Sequence, residues 1–497
     1  MTPYRRLGCI APRSVAHRVT SWAAVRVGGV RYLEPIALLA AVVSLDGADK
    51  GTLAVNARSL EHVFGVGHTS LGLLASITSL SGALFTLPVG VLTDRVVRVR
   101  LLGGSIVLWA VATGLSAAAS SFTWLVVTRA ALGAVTATAG PTIASLVGDF
   151  FPASRRAQLY GYILMGEILG TGIGLVMTTA LSSFGSWRLS LAWPAVPAIL
   201  LSWRVWRTRE PPRGGGRAAA GKGDGKADDR PSEPDGGPQR PGGSGALDLP
   251  GRPAAGQGSR PRRAAVLRED PRRLPVPAAF LYVLRIPTVL IMITASSLGY
   301  FFLAGVRTFG VLFATGQYGI SKAAAGALAV VVGAGAVIGL YLGGHAADRL
   351  LRAGHPNGRV VVAVVALFVS PLALAPAILA SSPLVAASLL FLGGIALTAT
   401  NPPLDAARLD VVPSGLWGTS ESARTAVRTL GELAAPLLFG YASAHLFSAH
   451  GLRWTFLLFL APLTAAGLVG LLALRTYPRD VATAEASERA VHGAGKP

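Results

Sequence analysis

The stretch Gly90-Val91-Leu92-Thr93-Asp94-Arg95 recurs in altered form as Gly344-His345-Ala346-Ala347-Asp348-Arg349. Each copy closes an apolar run long enough to cross a bilayer, which takes about 20 residues, and opens a basic turn before the next such run. The first turn continues as Val96-Val97-Arg98-Val99-Arg100 and the second as Leu350-Leu351-Arg352. A helix-exit motif present once per half marks a membrane protein built from two similar helical bundles. The expected fold is all-α and integral to the membrane, with twelve transmembrane helices in two pseudo-symmetric six-helix bundles. The expected role is transport.

Of 497 residues, 52% are hydrophobic and 14% charged, with mean hydropathy +0.53. A soluble domain carries nearer a quarter charged residues and could not bury so much apolar surface. The net charge of +21 invites a nucleic-acid reading, but the basic residues lie beside apolar spans and are not interleaved with aromatics. Membrane topology explains that placement; no nucleic-acid partner is expected. Cys9 is the single cysteine, so no intramolecular disulfide can form. With no phosphate-cradling G-x-x-x-x-G-K-[ST] loop, no metal-ligand cluster and no catalytic triad, the chain is expected to be neither an enzyme nor a nucleotide-driven pump. No cofactor or metal is expected. Arginine far outnumbers lysine and alanine and glycine abound, as in proteins of GC-rich bacterial genomes.

The apolar runs place spans near 34–55, 70–92, 101–119, 123–147, 158–181 and 187–206, then near 287–313, 321–347, 359–380, 383–402, 421–445 and 453–474. Loops on one side carry few basic residues, among them Arg58, Arg188, Lys322 and Arg453. Those on the other carry Arg95, Arg98, Arg100, Arg155, Arg156, Arg349, Arg352 and Arg359. The positive-inside rule then puts both termini in the cytoplasm of a multi-pass cell-membrane protein. Residues 1–33 read as a cytoplasmic basic tail and not a cleavable signal. An N-terminal bundle follows over 34–207, a mostly disordered cytoplasmic linker over 208–285, a C-terminal bundle over 286–475 and a cytoplasmic tail over 476–497. The linker is rich in Gly, Pro, Arg and Asp and has few large apolar residues to bury. It reads as a solvated tether, with a regulatory or lipid-headgroup-binding arm as the alternative.

The halves repeat beyond the motif. Gly166-Glu167-Ile168-Leu169 matches Gly431-Glu432-Leu433-Ala434, and Asp149-Phe150-Phe151-Pro152 is echoed by Asp410-Val411-Val412-Pro413. This layout resembles the major facilitator superfamily over everything but the linker and tails. Within it, three segments are similar to the spinster-type branch, whose members move lysolipids or sphingoid phosphates. They are the first span with Asp46-Gly47-Ala48-Asp49-Lys50, the fourth from Arg129 to Pro152, and the tenth around Asn401-Pro402-Pro403. Asp49 and Lys50 occupy the branch's Asp-Arg positions. Asp46 stands in place of an Asn, where it can supply a substitute carboxylate, and Thr136 stands where many relatives carry a glutamate.

Asp94 and Asp348 follow helix ends and suit a latch, in which a carboxylate sits against the positive N-terminus of a helix in the opposing half. Gly90, Arg95, Gly344 and Arg349 complete the gating motif, with Arg95 and Arg98 bonding nearby carbonyls or lipid phosphates. Arg100 and Arg352 read as plain positive-inside anchors, and His345 as a helix-end residue. Asn401-Pro402-Pro403 is expected to stop the tenth span. Ionisable groups inside spans need partners or water. Asp49 and Arg129 lie at similar depth, either as a proton-sensitive pair or as a permanent structural one, with adjacent Lys50, about 100° round the helix, the poorer partner for Asp49. Glu421, Arg424, Arg428 and Glu432 form one helical stripe facing a polar cavity. Arg428 suits an anionic group of a solute, because a guanidinium fork matches carboxylate, sulfate or phosphate. Arg424 is a second substrate candidate that can instead snorkel or close the latch with Asp94. Arg307 is a third. Glu167 and Glu432 are cavity or proton sites, or make mutual or local hydrogen bonds.

Together these residues describe a secondary active carrier of an amphipathic or anionic organic solute, working by rocking of two bundles about a central site, with protons as a possible partner. A membrane sensor on the same fold and a drug-efflux carrier without anion preference are the alternatives. A monomer in the lipid bilayer is expected.

Overall fold

The computed structural model describes residues 30–66, 68–182, 186–213, 260–446 and 451–493, and these contain helices but no strand. The N-terminal half holds α1 (Val30–Phe64), α2 (His68–Arg95), α3 (Arg98–Ala117), α4 (Phe122–Thr136), α5 (Ala139–Phe150), α6 (Arg156–Ser182), α7 (Trp187–Ala192) and α8 (Ala195–Trp206). The short α9 (Val276–Leu284) leads into the C-terminal half. There follow α10 (Pro287–Tyr318), α11 (Lys322–Arg352), α12 (Gly358–Leu379), α13 (Pro383–Ala399), α14 (Asn401–Val411), α15 (Trp417–Tyr441), α16 (Gly451–Leu458) and α17 (Leu460–Gly493).

These helices make twelve transverse segments, six per half, because α4–α5, α7–α8, α13–α14 and α16–α17 each run on as one broken rod. Among the described residues, nine runs are long and apolar enough to cross a membrane. The other three segments have identifiable reasons for missing that description. The α7–α8 rod is cut at Trp193–Pro194, while α1 carries Asp46, Asp49 and Lys50, and α15 carries Glu421, Arg424, Arg428 and Glu432. Charges along a spanning helix must face protein or water, so α1 and α15 are the segments that line the interior.

The expected stop at Asn401-Pro402-Pro403 is instead a restart. The rod breaks at Thr400, and α14 begins with both prolines in its first turn, where a missing N–H costs nothing. The tenth span therefore reaches Val411. The fourth breaks at the matching place, just before Gly140-Pro141.

Two boundaries also move. The 208–285 segment is ordered at both ends: Thr208–Arg213 lies on the N-terminal half, and 260–285 forms two short 3-10 turns and α9. The tail expected from residue 476 continues α17 to Gly493, where Thr483 and Ser487 accept from the backbone amides of Arg262 and Leu267 at 3.0 and 3.1 Å. Most of the expected basic tail (1–29), the linker's centre (214–259) and residues 494–497 lie outside the described residues.

Apolar side chains facing outward, such as Leu84, Val176, Leu372, Leu384 and Leu437, cover the flanks. Close packing within the N-terminal half rests on glycine: a methyl at Gly170 on α6 would lie 2.1 Å from the Ser44 carbonyl oxygen on α1.

Candidate functional site

At the end of the molecule that carries the motif arginines, the halves are joined. Asp94 accepts from the backbone N–H groups of Gly418 and Thr419, each at 2.8 Å, and from the Thr419 hydroxyl at 2.7 Å. Both amides belong to the first turn of α15, whose N–H groups have no acceptor within their own helix and carry its positive pole. Asp348 treats α6 alike, accepting from the Gln158 N–H at 2.8 Å, and also pairs with Arg359 at 2.9 Å. The motif glycines lie one turn earlier on the same helix faces. A methyl at Gly90 would lie 2.8 Å from the Gly418 carbonyl oxygen, and one at Gly344 would lie 2.5 Å from that of Ala157. Glycine lets the helices approach until each aspartate reaches the opposing helix end.

Behind these contacts lies a paired arrangement of buried arginines. Arg98 starts α3 and is ion-paired with Asp149 near the end of α5; Arg359 near the start of α12 is ion-paired with Asp410 near the end of α14. Each pair is separated by 51 residues in sequence, so the halves share the device. Arg98 also takes Glu210 at 2.7 Å and the Pro211 carbonyl at 3.0 Å. It is fully buried, which corrects its expected reach to lipid phosphates. Tyr477 on α17 donates to Asp410 at 2.7 Å. Arg156 spans the halves, donating to Gly148 at 2.7 Å and stacking over Trp417, while Arg352 donates to the Ser154 carbonyl at 3.2 Å. Arg352 thus does more than anchor. Arg95 reaches the Leu274 carbonyl at 2.8 Å, and Arg349 and Arg100 stay exposed. His345 is not at a helix end but within α11, 3.4 Å from the Tyr162 hydroxyl of the other half.

Midway along the helices a second group of charges lines a cleft between the halves. On the N-terminal side Lys50 lies 2.7 Å from Asp46 and 2.8 Å from Glu167. On the other side Arg428 stands 3.8 Å from Glu432 and 4.6 Å from the centre of the Tyr300 ring. Glu167 is within electrostatic reach of Arg307 and Arg428 across the cleft. The side chains are part-exposed although their backbones are mid-helix: 52% for Lys50, 28% for Glu167, 25% for Arg428. Such exposure needs an aqueous opening. The N-terminal side holds one more carboxylate than cation, and the other side, with Arg307, one more cation than carboxylate.

Asp49, next to Lys50 on α1, meets Arg129 inside the N-terminal half, with one guanidinium nitrogen 2.9 Å from both carboxylate oxygens, and both residues are buried. Arg129 Nε and Nη2 find no acceptor among the described residues. Glu167 and Glu432 pair with basic neighbours, the local form of the expected bonding, and not with each other. Arg424 neither snorkels nor reaches Asp94: it pairs with Glu421 at 2.5 Å and Asp405 at 3.4 Å in a buried cluster that also holds Arg408. Glu421 is buried too, so only the far part of the expected stripe faces the cleft. Lys50 as a bridge, Tyr300, and the Asp405–Arg408 part of the cluster escaped sequence reasoning. The equal 98–149 and 359–410 spacings were the available signal for the buried arginine pairs.

The sequence model described as Major Facilitator Superfamily matches residues 39–436 and, overlapping, 317–495. Protein spinster homolog 3 of Danio rerio is 30% identical over 184 residues, covering 36% of this chain and 37% of that protein. The probable anion transporter 3, chloroplastic, of Arabidopsis thaliana is 32% identical over 33% of this chain and 32% of its own. These matches span about a third of the relatives' length. Among solved structures, a bacterial homologue of the human lysosomal transporter Spinster, inward-facing and unoccupied, aligns with TM-score 0.55 at 20% identity over 90% of this chain and 98% of its own. The major facilitator transporter FucP in the outward conformation aligns with TM-score 0.64 at 13% identity over 89% and 99%. Family match and fold agree with the duplicated motif and the paired arginines: this chain belongs to the major facilitator superfamily.

Proposed function

We propose that the protein is a secondary active carrier of an amphipathic or anionic organic solute, with the ion-lined cleft as its binding site. The observation that carries this reading is the combination of a part-exposed cleft at mid-membrane depth with one end of the bundle shut by Asp94 and Asp348. A site closed on one side by contacts of modest strength can be opened there and closed on the other. Arg428 and Arg307 supply the surplus positive charge that suits an acidic group, and Tyr300 offers a flat apolar face beside it. Similarity to spinster homologues and to a probable anion transporter supports the solute class. The excess of arginine at the closed end supports a cytoplasmic position for that end in a bacterial cell membrane.

Proton coupling is proposed at Asp49. Loading a proton there breaks the pair with Arg129 and loosens α1 from α4. Asp49→Asn should therefore reduce gradient-driven flux more than solute-stimulated exchange. Equal loss of both would make the pair purely structural. The reading as a whole is tested by flux into proteoliposomes across a panel of lysolipids, organic anions and cationic drugs. Saturable movement of an acidic or amphipathic solute is expected. A solute that binds the cleft yet never crosses would favour a sensor, and transport of cationic drugs alone would remove the anion preference.

A further inference from the structure

The helix α9 supplies none of the cleft charges and none of the partners of Asp94 and Asp348, yet it is tied to the bundle. The Tyr282 hydroxyl donates to the Ala265 carbonyl at 3.0 Å, and the strand of backbone before it is tied to α17 through Thr483 and Ser487. Ala279 and Val283 are buried against the bundle, while Val276, Leu281 and Leu284 face outward at 40, 49 and 39% exposure. An apolar outer face on a short, fixed helix needs a cover. Connectivity says which: α9 ends at Leu284, and the apolar span α10 begins at Pro287, so α9 sits level with that span's membrane boundary.

The charges around it are one-sided. Residues 260–285 hold seven arginines against two acids. Asp270 is drawn below the usual carboxylate range by its hydrogen bond from Arg272, and so stays ionised and occupies that arginine. Arg268, Arg273 and Arg285 remain exposed on either side of the helix. An apolar helix face flanked by arginines fits the boundary between acyl chains and acidic headgroups. We propose that α9 with Arg268, Arg273 and Arg285 forms a docking surface for anionic phospholipid in the leaflet at the basic end. Because Leu274, two residues before α9, accepts from Arg95 of the other half, lipid held here also braces the closed end.

The test uses the full chain with Cys9→Ser and a fluorophore on Leu281→Cys, in nanodiscs of phosphatidylcholine with a minor fraction of phosphatidylglycerol. Bromine is placed on the acyl chains of either the glycerol lipid or an equal amount of the choline lipid. Quenching by the brominated phosphatidylglycerol should be at least about threefold stronger, since each arginine near the surface attracts acidic lipid. Arg268→Gln, Arg273→Gln and Arg285→Gln together should equalise the two. The lipid comparison is made with the arginines intact, so it stands even where the triple variant misfolds. Equal quenching by both lipids would overturn the headgroup preference. No quenching by either would show that α9 faces water or another protein, and would equally overturn the proposal.

Discussion

At Gly344 a methyl group would lie 2.5 Å from one backbone oxygen and 2.8 Å from the Gln158 Cα, and neither atom can swing aside. At Gly90 a methyl would meet the Ser422 hydroxyl, which can rotate, but also the Ser422 Cβ at 2.6 Å and the Gly418 carbonyl oxygen at 2.8 Å, which cannot. Gly344→Ala and Gly90→Ala should therefore each weaken the closed end, by an overpacking cost of about 1–3 kcal/mol. The rate at which Gln158→Cys, buried at the same end, reacts with a maleimide from the basic side in a Cys9→Ser background measures this. Equal, unchanged rates in both variants would mean that helix approach does not set the closed state. Arg428 makes a different kind of prediction. Arg428→Lys keeps charge but loses the planar fork, so binding of an acidic solute should weaken, and Arg428→Ala should weaken it further. A neutral analogue should be spared, and equal loss of both forms would make Arg428 a scaffold residue. The Asp94 and Asp348 positions were legible in sequence because a motif that ends one helix had to face the start of another. The partners of Lys50 and Arg424 were not, since a charge on a helix face can choose among several neighbouring spans and only packing selects one.

At the level of elements, the apolar runs disclosed the spans, but not where they break. Proline at Pro141 and Pro402 announces a discontinuity without saying whether the rod stops or resumes. It resumes because the prolines fall in the first turn of the next helix. The linker shows the opposite limit. Its composition hid two ordered ends that are held by a few polar contacts, Glu210 and Pro211 on Arg98 and Arg262 and Leu267 on α17, and not by a hydrophobic run. Deleting Gly214 to Gly258 should leave insertion and flux intact, whereas Asp149→Ala, which strips a fully buried arginine of its main partner, should cost about 3–5 kcal/mol. Thermal unfolding in detergent compares the two. A deletion as damaging as Asp149→Ala would assign the linker's centre a structural role.

Across the whole molecule, the two halves carry the same buried arginine pair and the same carboxylate-to-helix contact, so closing the basic end engages both motif copies at once. Each aspartate contact is of a kind worth about 0.3–1 kcal/mol, up to about 2 where partly buried. Removing both should shift the balance between end states without unfolding either half. The cleft itself is the place to watch. Tyr300→Cys, in the Cys9→Ser background, puts one reactive group beside Arg428, and a membrane-impermeant maleimide applied to either face of sealed proteoliposomes reports which side the cleft opens to. Labelling is expected mainly from the face opposite the basic end, with a shift to the basic face when Asp94→Asn and Asp348→Asn are added. Labelling from one face alone in both proteins would contradict a cleft that opens to each side in turn.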